Sequence, residues 1–281
     1  MLYKWSAGLR RVRTIGLLAT AGAFSALGGA NAATPAYYLF SGDSANGVAI
    51  VDGAVTETFN TFYLGYPVAI TSTIWLGGRD NGGGAQYTLN GTPTGAASPG
   101  GALISQILDG TTSGVNNYGV TCCGSNAVTI ANLDWSNQSI LFNIPDGGDG
   151  IAYDTADNTL FVSDFSNDVT QYSLTGQALS QFSTTDNIVG LAYDQSSNTI
   201  WGWDRAASSL DQYSLSGTLL QSQYVDVNAD GIDNPFGGEM PILSAAPEPA
   251  SWAMMVLGVG LLGAALRRDR LSDKRLATRA A

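Results

Sequence analysis

Histidine is absent from the 281 residues, and the chain carries only 12 basic residues against 23 acidic ones. Without imidazole, every mechanism that uses it as a general base or metal ligand is excluded, Ser/His/Asp triads included. Bases are scarcer still in the middle. Between 33 and 246 only Arg79 and Arg205 face 20 acids, a net charge of −18. Such a segment repels phosphate backbones and anionic lipid, which argues against a nucleic-acid partner. Charged residues make up only 12% of the chain, so it is neither a coiled coil nor an ordinary soluble α/β enzyme. No phosphate-binding loop is present. The two cysteines, Cys122 and Cys123, are adjacent, which excludes a disulfide framework and any metal-binding spacing. What the chain does have is 35 glycines, strongly basic ends and repeats.

The start has the three parts of a secretory signal. Met1–Arg13 is a basic opening, Thr14–Ala30 is apolar and small, and Ala30-Asn31-Ala32 fits the small-x-small cleavage pattern. Cleavage is expected after Ala32. An uncleaved anchor is the alternative, disfavoured by the Gly and Ala content of the apolar stretch. Arg10-Arg11 hints at twin-arginine export, but general secretion fits the residues that follow better.

At the other end, Ala250–Leu266 is 17 residues without a charge. At ~1.5 Å per residue this helix would reach about 25 Å, near the lower limit for crossing a bilayer. Pro247-Glu248-Pro249 precedes it, and Arg267, Arg268 and Arg270 follow it. Those arginines stay in the cytoplasm by the positive-inside rule, which puts the body outside. Pro-Glu-Pro, one apolar span and an Arg cluster in this order resemble the PEP-CTERM sorting signal of Gram-negative bacteria. The resemblance implies recognition and processing by an exosortase in the inner membrane, then release to the cell surface or extracellular matrix. The tail Leu271–Ala281 departs from the family, which usually stops at the Arg cluster. An ordinary single-pass anchor is the competing reading.

The body repeats. IAYDTADNTLFVSDFSNDVTQYSLTG (151–176) parallels LAYDQSSNTIWGWDRAASSLDQYSLSG (191–217). Tyr153/Tyr193, Asp154/Asp194, Asn158/Asn198, Thr159/Thr199 and Asp164/Asp204 match at a spacing of 40, and Gln171/Gln212, Tyr172/Tyr213 and Gly176/Gly217 at 41. A period of ~40 is that of a four-stranded propeller blade. Within one unit, Gly190–Tyr193 predicts a strand buried on both faces, and Thr199–Trp203, Leu210–Leu215 and Thr218–Tyr224 predict three more. Pro67–Ile70, Ile74–Leu76 and Gln86–Leu89 repeat the order, and Leu39–Thr61 parallels Leu160–Thr184. The poorest match is 100–146, where Val128–Ala131 and Ile140–Ile144 are candidate strands. The expectation is an all-β fold, a small β-propeller of about five four-stranded blades over 33–246, closed by a strand from 222–245. It resembles the loose bacterial propellers related to the NHL and gluconolactonase-like groups. The remaining parts are a signal peptide over 1–32, the sorting signal over 247–270 with its transmembrane helix, and a basic cytoplasmic tail over 271–281.

Four features are candidate sites. Asp226, Asn228, Asp230 and Asp233 (DVNADGID, 226–233) resemble the opening of a calcium loop, although Gly237 stands where the closing Glu belongs. The plainer reading is an Asx-turn connector. Asp154, Asp164, Asp194 and Asp204 recur at blade period and are expected to cap turns. Cys122 and Cys123 form either a vicinal disulfide or a free or intermolecular pair in an oxidising compartment. Trp75 and Trp201 occupy equivalent positions, with Phe161 between them in the series, which favours packing between blades over exposed stacking on a matrix polysaccharide. The resulting expectation is an exported, non-catalytic surface or matrix protein whose propeller is a binding scaffold. The competing classes are a metal-dependent, lactonase-like hydrolase, which needs clustered carboxylates in the ring channel, and a periplasmic binding protein held permanently in the membrane.

Overall fold

The structure is a computed structural model and describes residues 36–61, 66–77, 84–98 and 107–242. Blade 1 supplies β1 (Tyr37–Ser41), β2 (Asn46–Val51) and β3 (Ala54–Asn60). Blade 2 is β4 (Val68–Ile70), β5 (Thr73–Leu76), β6 (Gly84–Thr88) and β7 (Pro93–Ser98). Blade 3 is β8 (Ile107–Thr112), β9 (Asn117–Thr121), β10 (Ala127–Ala131) and β11 (Ser139–Asn143). Blade 4 is β12 (Gly148–Asp154), β13 (Thr159–Asp164), β14 (Asp168–Ser173) and β15 (Ala178–Ser183). Blade 5 is β16 (Ile188–Asp194), β17 (Thr199–Asp204), β18 (Ser209–Ser214) and β19 (Leu219–Tyr224). The last strand, β20 (Pro235–Glu239), pairs antiparallel with β1 and becomes the innermost strand of blade 1. All five sheets therefore have four strands, and the two ends of the body meet in one blade. The poorly matched stretch 100–146 holds blade 3. Among the described residues the only helical piece is a 3₁₀ turn, Asn228–Asp230.

Burial falls from the axis outward. Every residue of β16 is buried, whereas β19 is exposed apart from half-buried Gln223. An inner strand covered on both faces needs apolar or small side chains at every position, which is why Ile188–Tyr193 does not alternate.

The repeated residues have repeated jobs. Asp154 Oδ1 accepts the amides of Ala156 and Asp157, and Asp194 Oδ1 accepts that of Ser196. Asp164 Oδ1 takes Ser166 and Asp168, and Asp204 Oδ1 takes Ala206 and Ala207. These four carboxylates cap turns. Asn158 and Asn198 close their turns at φ 58° and 55°, a left-handed conformation that Asn tolerates. Tyr153 and Tyr193 donate to the Oδ1 of those asparagines. Gln171 and Gln212 donate across the sheet to Thr159 and Thr199, both at 2.8 Å, and Gln86 does the same to Thr73.

Candidate functional site at the propeller axis

The inner strands carry small residues at the axis: Gly110, Gly150, Gly190 and Gly238 come from blades 3, 4, 5 and 1. They bring the strands so close that a Cβ on Gly238 would lie 2.0 Å from Tyr37 Oη and 2.6 Å from the Gly190 carbonyl. Into this crowded centre β8 projects Asp109, which is fully buried. Its Oδ2 accepts the amides of Ile151 (2.8 Å) and Leu191 (3.0 Å), and its Oδ1 accepts that of Gly238 (3.1 Å). One carboxylate thus ties blade 3 to blades 4, 5 and 1. Tyr37 Oη adds a further tie by donating to the Gly190 carbonyl.

A second carboxylate, Glu239 of β20, is buried beside it. Its Oε1 accepts the Met240 amide at 2.9 Å; Oε2 is buried and accepts no bond within 3.5 Å among the described residues, although Thr111 and the Thr112 amide lie close enough to favour the charged carboxylate. Burial holds both carboxyls well above the ordinary carboxylate range, and the Glu239 charge pushes Asp109 further up against the lowering effect of its amide bonds.

Near the start of the inner strands, Tyr66, Leu108, Cys122 and Phe236 pack as one apolar cluster. Cys122 and Cys123 are joined as a vicinal disulfide, with Cys122 buried. Arg205, the one base among the described residues, lies 4.4 Å from the Phe236 ring centroid. It donates to Asn234 Oδ1, and Asn234 in turn donates to Asp43 at 3.1 Å. Below it, Asp149 is fully buried and accepts one bond from Asn187 (2.7 Å). Burial raises the Asp149 carboxyl to about 7, with the Asn187 bond and the Arg205 charge opposing and Asp164 adding to the rise.

The calcium-loop residues lie elsewhere. Val225, Val227 and Ile232 are anchored in the core, and that alternation turns Asp226 and Asn228 outward to solvent. The loop closes on itself through backbone bonds from Asp230 and Ile232 to the Val227 carbonyl. Among the described residues no group of three His, Cys, Asp or Glu side chains is placed to hold a metal ion, so Asp226, Asp230 and Asp233 are not brought together. Trp75 packs against Ala69, Ala131 and Trp135, between blades 2 and 3, and Trp201 packs on the cluster between blades 5 and 1.

The signal-cleavage residues Ala30 and Ala32, Pro247, Glu248, Pro249 and the span 250–266 with Arg267, Arg268 and Arg270 lie outside the described residues. Among those that are described, no helix is long and apolar enough to cross a membrane.

No curated protein matches the chain. Among solved structures, one chain of a nidogen/laminin complex is similar at 10% identity and TM-score 0.51, covering 74% of this chain and 98% of that one. That likeness shows the propeller fold alone. A Bacteroides caccae protein of unknown function shares 13% identity at TM-score 0.45, covering 68% of this chain and 73% of its own. Residues 245–270 match the PEP-CTERM protein-sorting motif, so this propeller carries a signal that implies export and processing at the membrane by an exosortase.

Proposed function

We propose that the protein is a non-catalytic component of the cell surface or extracellular matrix, and that its propeller serves as a binding scaffold. The observation that carries this reading is the sorting motif over 245–270, attached to a five-bladed body. The way Asp109 is used supports it: backbone amides from three blades take three of the about four lone-pair directions of its carboxylate, which is a structural use of the group. The hydrolase alternative retains one point in its favour, the buried Glu239 carboxyl beside Asp109, whose Oε2 accepts no bond within 3.5 Å among the described residues.

In this account the apolar span is a temporary handle. Pro247 and Pro249 keep the entry to the membrane extended, because the residue before a proline avoids helical angles. An extended backbone is what a processing enzyme at the membrane face engages, and Arg267, Arg268 and Arg270 stop transfer and set orientation. Replacing Pro247, Glu248 and Pro249 together with Ala is expected to leave export intact and trap the full-length protein in the inner membrane. A permanent anchor predicts no change in location or mass on that replacement, and such a result would reject the sorting account.

A further inference from the structure

Among the described residues, four of the five junctions between blades are filled by an aromatic side chain of the outer strand or the third turn. Phe59, Phe142 and Phe182 occupy one register position of the outer strand, opposite Gly47, Val128 and Val169. Each packs under the third turn of the next blade, where a glycine lacks the Cβ that would collide. A Cβ on Gly91 would lie 2.3 Å from Phe59, on Gly176 2.8 Å from Phe142, and on Gly217 2.5 Å from Phe182. Phe142 and Phe182 also meet Tyr172 and Tyr213, at 5.5 and 6.3 Å between centroids. The junction of blades 2 and 3 is filled by Trp135.

The ring-closing junction, between blades 5 and 1, breaks the pattern twice. The residue in the phenylalanine position, opposite Leu210, is Gln223. The residue in the tyrosine position, directly after the bulge in the third strand, is Ile50. Gly53 still makes the turn above, its missing Cβ 3.2 Å from the Gln223 amide. With both rings gone, a cavity of about 160 Å³ opens there, bordered by Trp201, Ile50, Asp52, Asp194, Gln221 and Gln223. Trp201 holds the place of Phe161, yet Phe161 is wholly buried while Trp201 is partly exposed. Its indole N–H is buried without a hydrogen-bond partner.

We infer that this cavity is a binding site for one neutral hexopyranose unit of a polysaccharide. The inference rests on the reading of the propeller as a binding scaffold. An aromatic face with planar amides and carboxylates around it suits a pyranose ring. Its C–H face packs on the indole, and its hydroxyls bond to Gln221, Gln223 and Asp52. The volume lies below the ~300 Å³ of drug-sized sites, which limits occupancy to about one ring. Asp52 and Asp194 bring negative charge to the rim, and bonds from Ser196 and Ser197 outweigh burial to hold the Asp194 carboxyl below its ordinary range. A uronic acid is therefore repelled.

The test is titration of the purified protein with the methyl glycosides of glucose, galactose and mannose, and with methyl glucuronide, followed by tryptophan fluorescence and calorimetry. At least one neutral glycoside is expected to bind in the millimolar range, with the glucuronide about tenfold weaker or worse. Trp201→Phe, the residue that blade 4 uses, should weaken binding about tenfold while the protein stays folded. Gln223→Phe restores the residue used at three of the other junctions; it should abolish binding and raise the melting temperature. Failure of all three neutral glycosides to bind overturns the sugar assignment but leaves the scaffold reading standing. Binding that survives Gln223→Phe overturns the site. Hydrolysis of a bound glycoside overturns the non-catalytic reading and this inference with it.

Discussion

Replacing Asp109 tests how the ring is held shut. In Asp109→Ala three buried backbone amides, those of Ile151, Leu191 and Gly238, lose their acceptor at once. Each unsatisfied buried donor costs roughly 1–3 kcal/mol, so the loss is about 3–9 kcal/mol. Removing the buried carboxyl also removes an unfavourable desolvation and its repulsion with Glu239, which offsets part of that cost. Against a total stability of about 5–15 kcal/mol, a net loss of several kcal/mol leaves little folded protein. Asp109→Asn is the finer probe. Its one carbonyl oxygen can still serve Ile151 and Leu191 together, but the amide NH₂ then faces the Gly238 N–H. One bond is lost rather than three, at about 1–3 kcal/mol. Urea unfolding of the purified protein, followed by far-ultraviolet circular dichroism, measures both. The expected order is wild type, then Asn, then Ala, with a similar denaturant slope wherever the variants fold. An Ala variant within about 0.5 kcal/mol of wild type would show that Asp109 does not hold the blades together.

Asp149 gives the pH dependence. Its carboxyl is raised to about 7 in the folded protein from an ordinary 3.8, so the folded state binds the proton more tightly than the unfolded one. Stability from this group is full below about pH 4, falls as pH rises toward 7, and is flat above. Asp149→Asn should flatten that fall in a series of thermal melts, and an unchanged profile would refute it. Gly238→Ala places a Cβ 2.0 Å from Tyr37 Oη and 2.6 Å from a backbone oxygen, so it should destabilise by several kcal/mol, read as a large drop in melting temperature. A tolerated Ala would mean that the inner strands are not closely packed.

The two best-matched blades were legible because their identities serve local chemistry. Asp154, Asn158, Tyr153 and Gln171 each bond within their own blade, so the same spacing works again one blade later in Asp194, Asn198, Tyr193 and Gln212. The closing strand was expected from the missing inner strand of blade 1, and it forms at Pro235–Glu239. Asp109 was not legible, because its partners are backbone amides in three other blades and it occurs once rather than per repeat. The signal was present as a lone acid within the compact stretch Ile107-Leu108-Asp109-Gly110. The cavity at Gln223 was equally hidden, since a repeat comparison weighs matches, and here the departure from the repeat is the informative residue.

If the apolar span is a temporary handle, the sorted propeller leaves the membrane behind. The intact mass of the wild-type protein in each fraction of a host that has an exosortase tests this. The surface or extracellular fraction is expected to contain a species that begins after Ala32 and lacks the apolar span 250–266 and the arginines beyond it. A full-length tail, found only in the inner membrane of such a host, would contradict it and establish a permanent anchor instead.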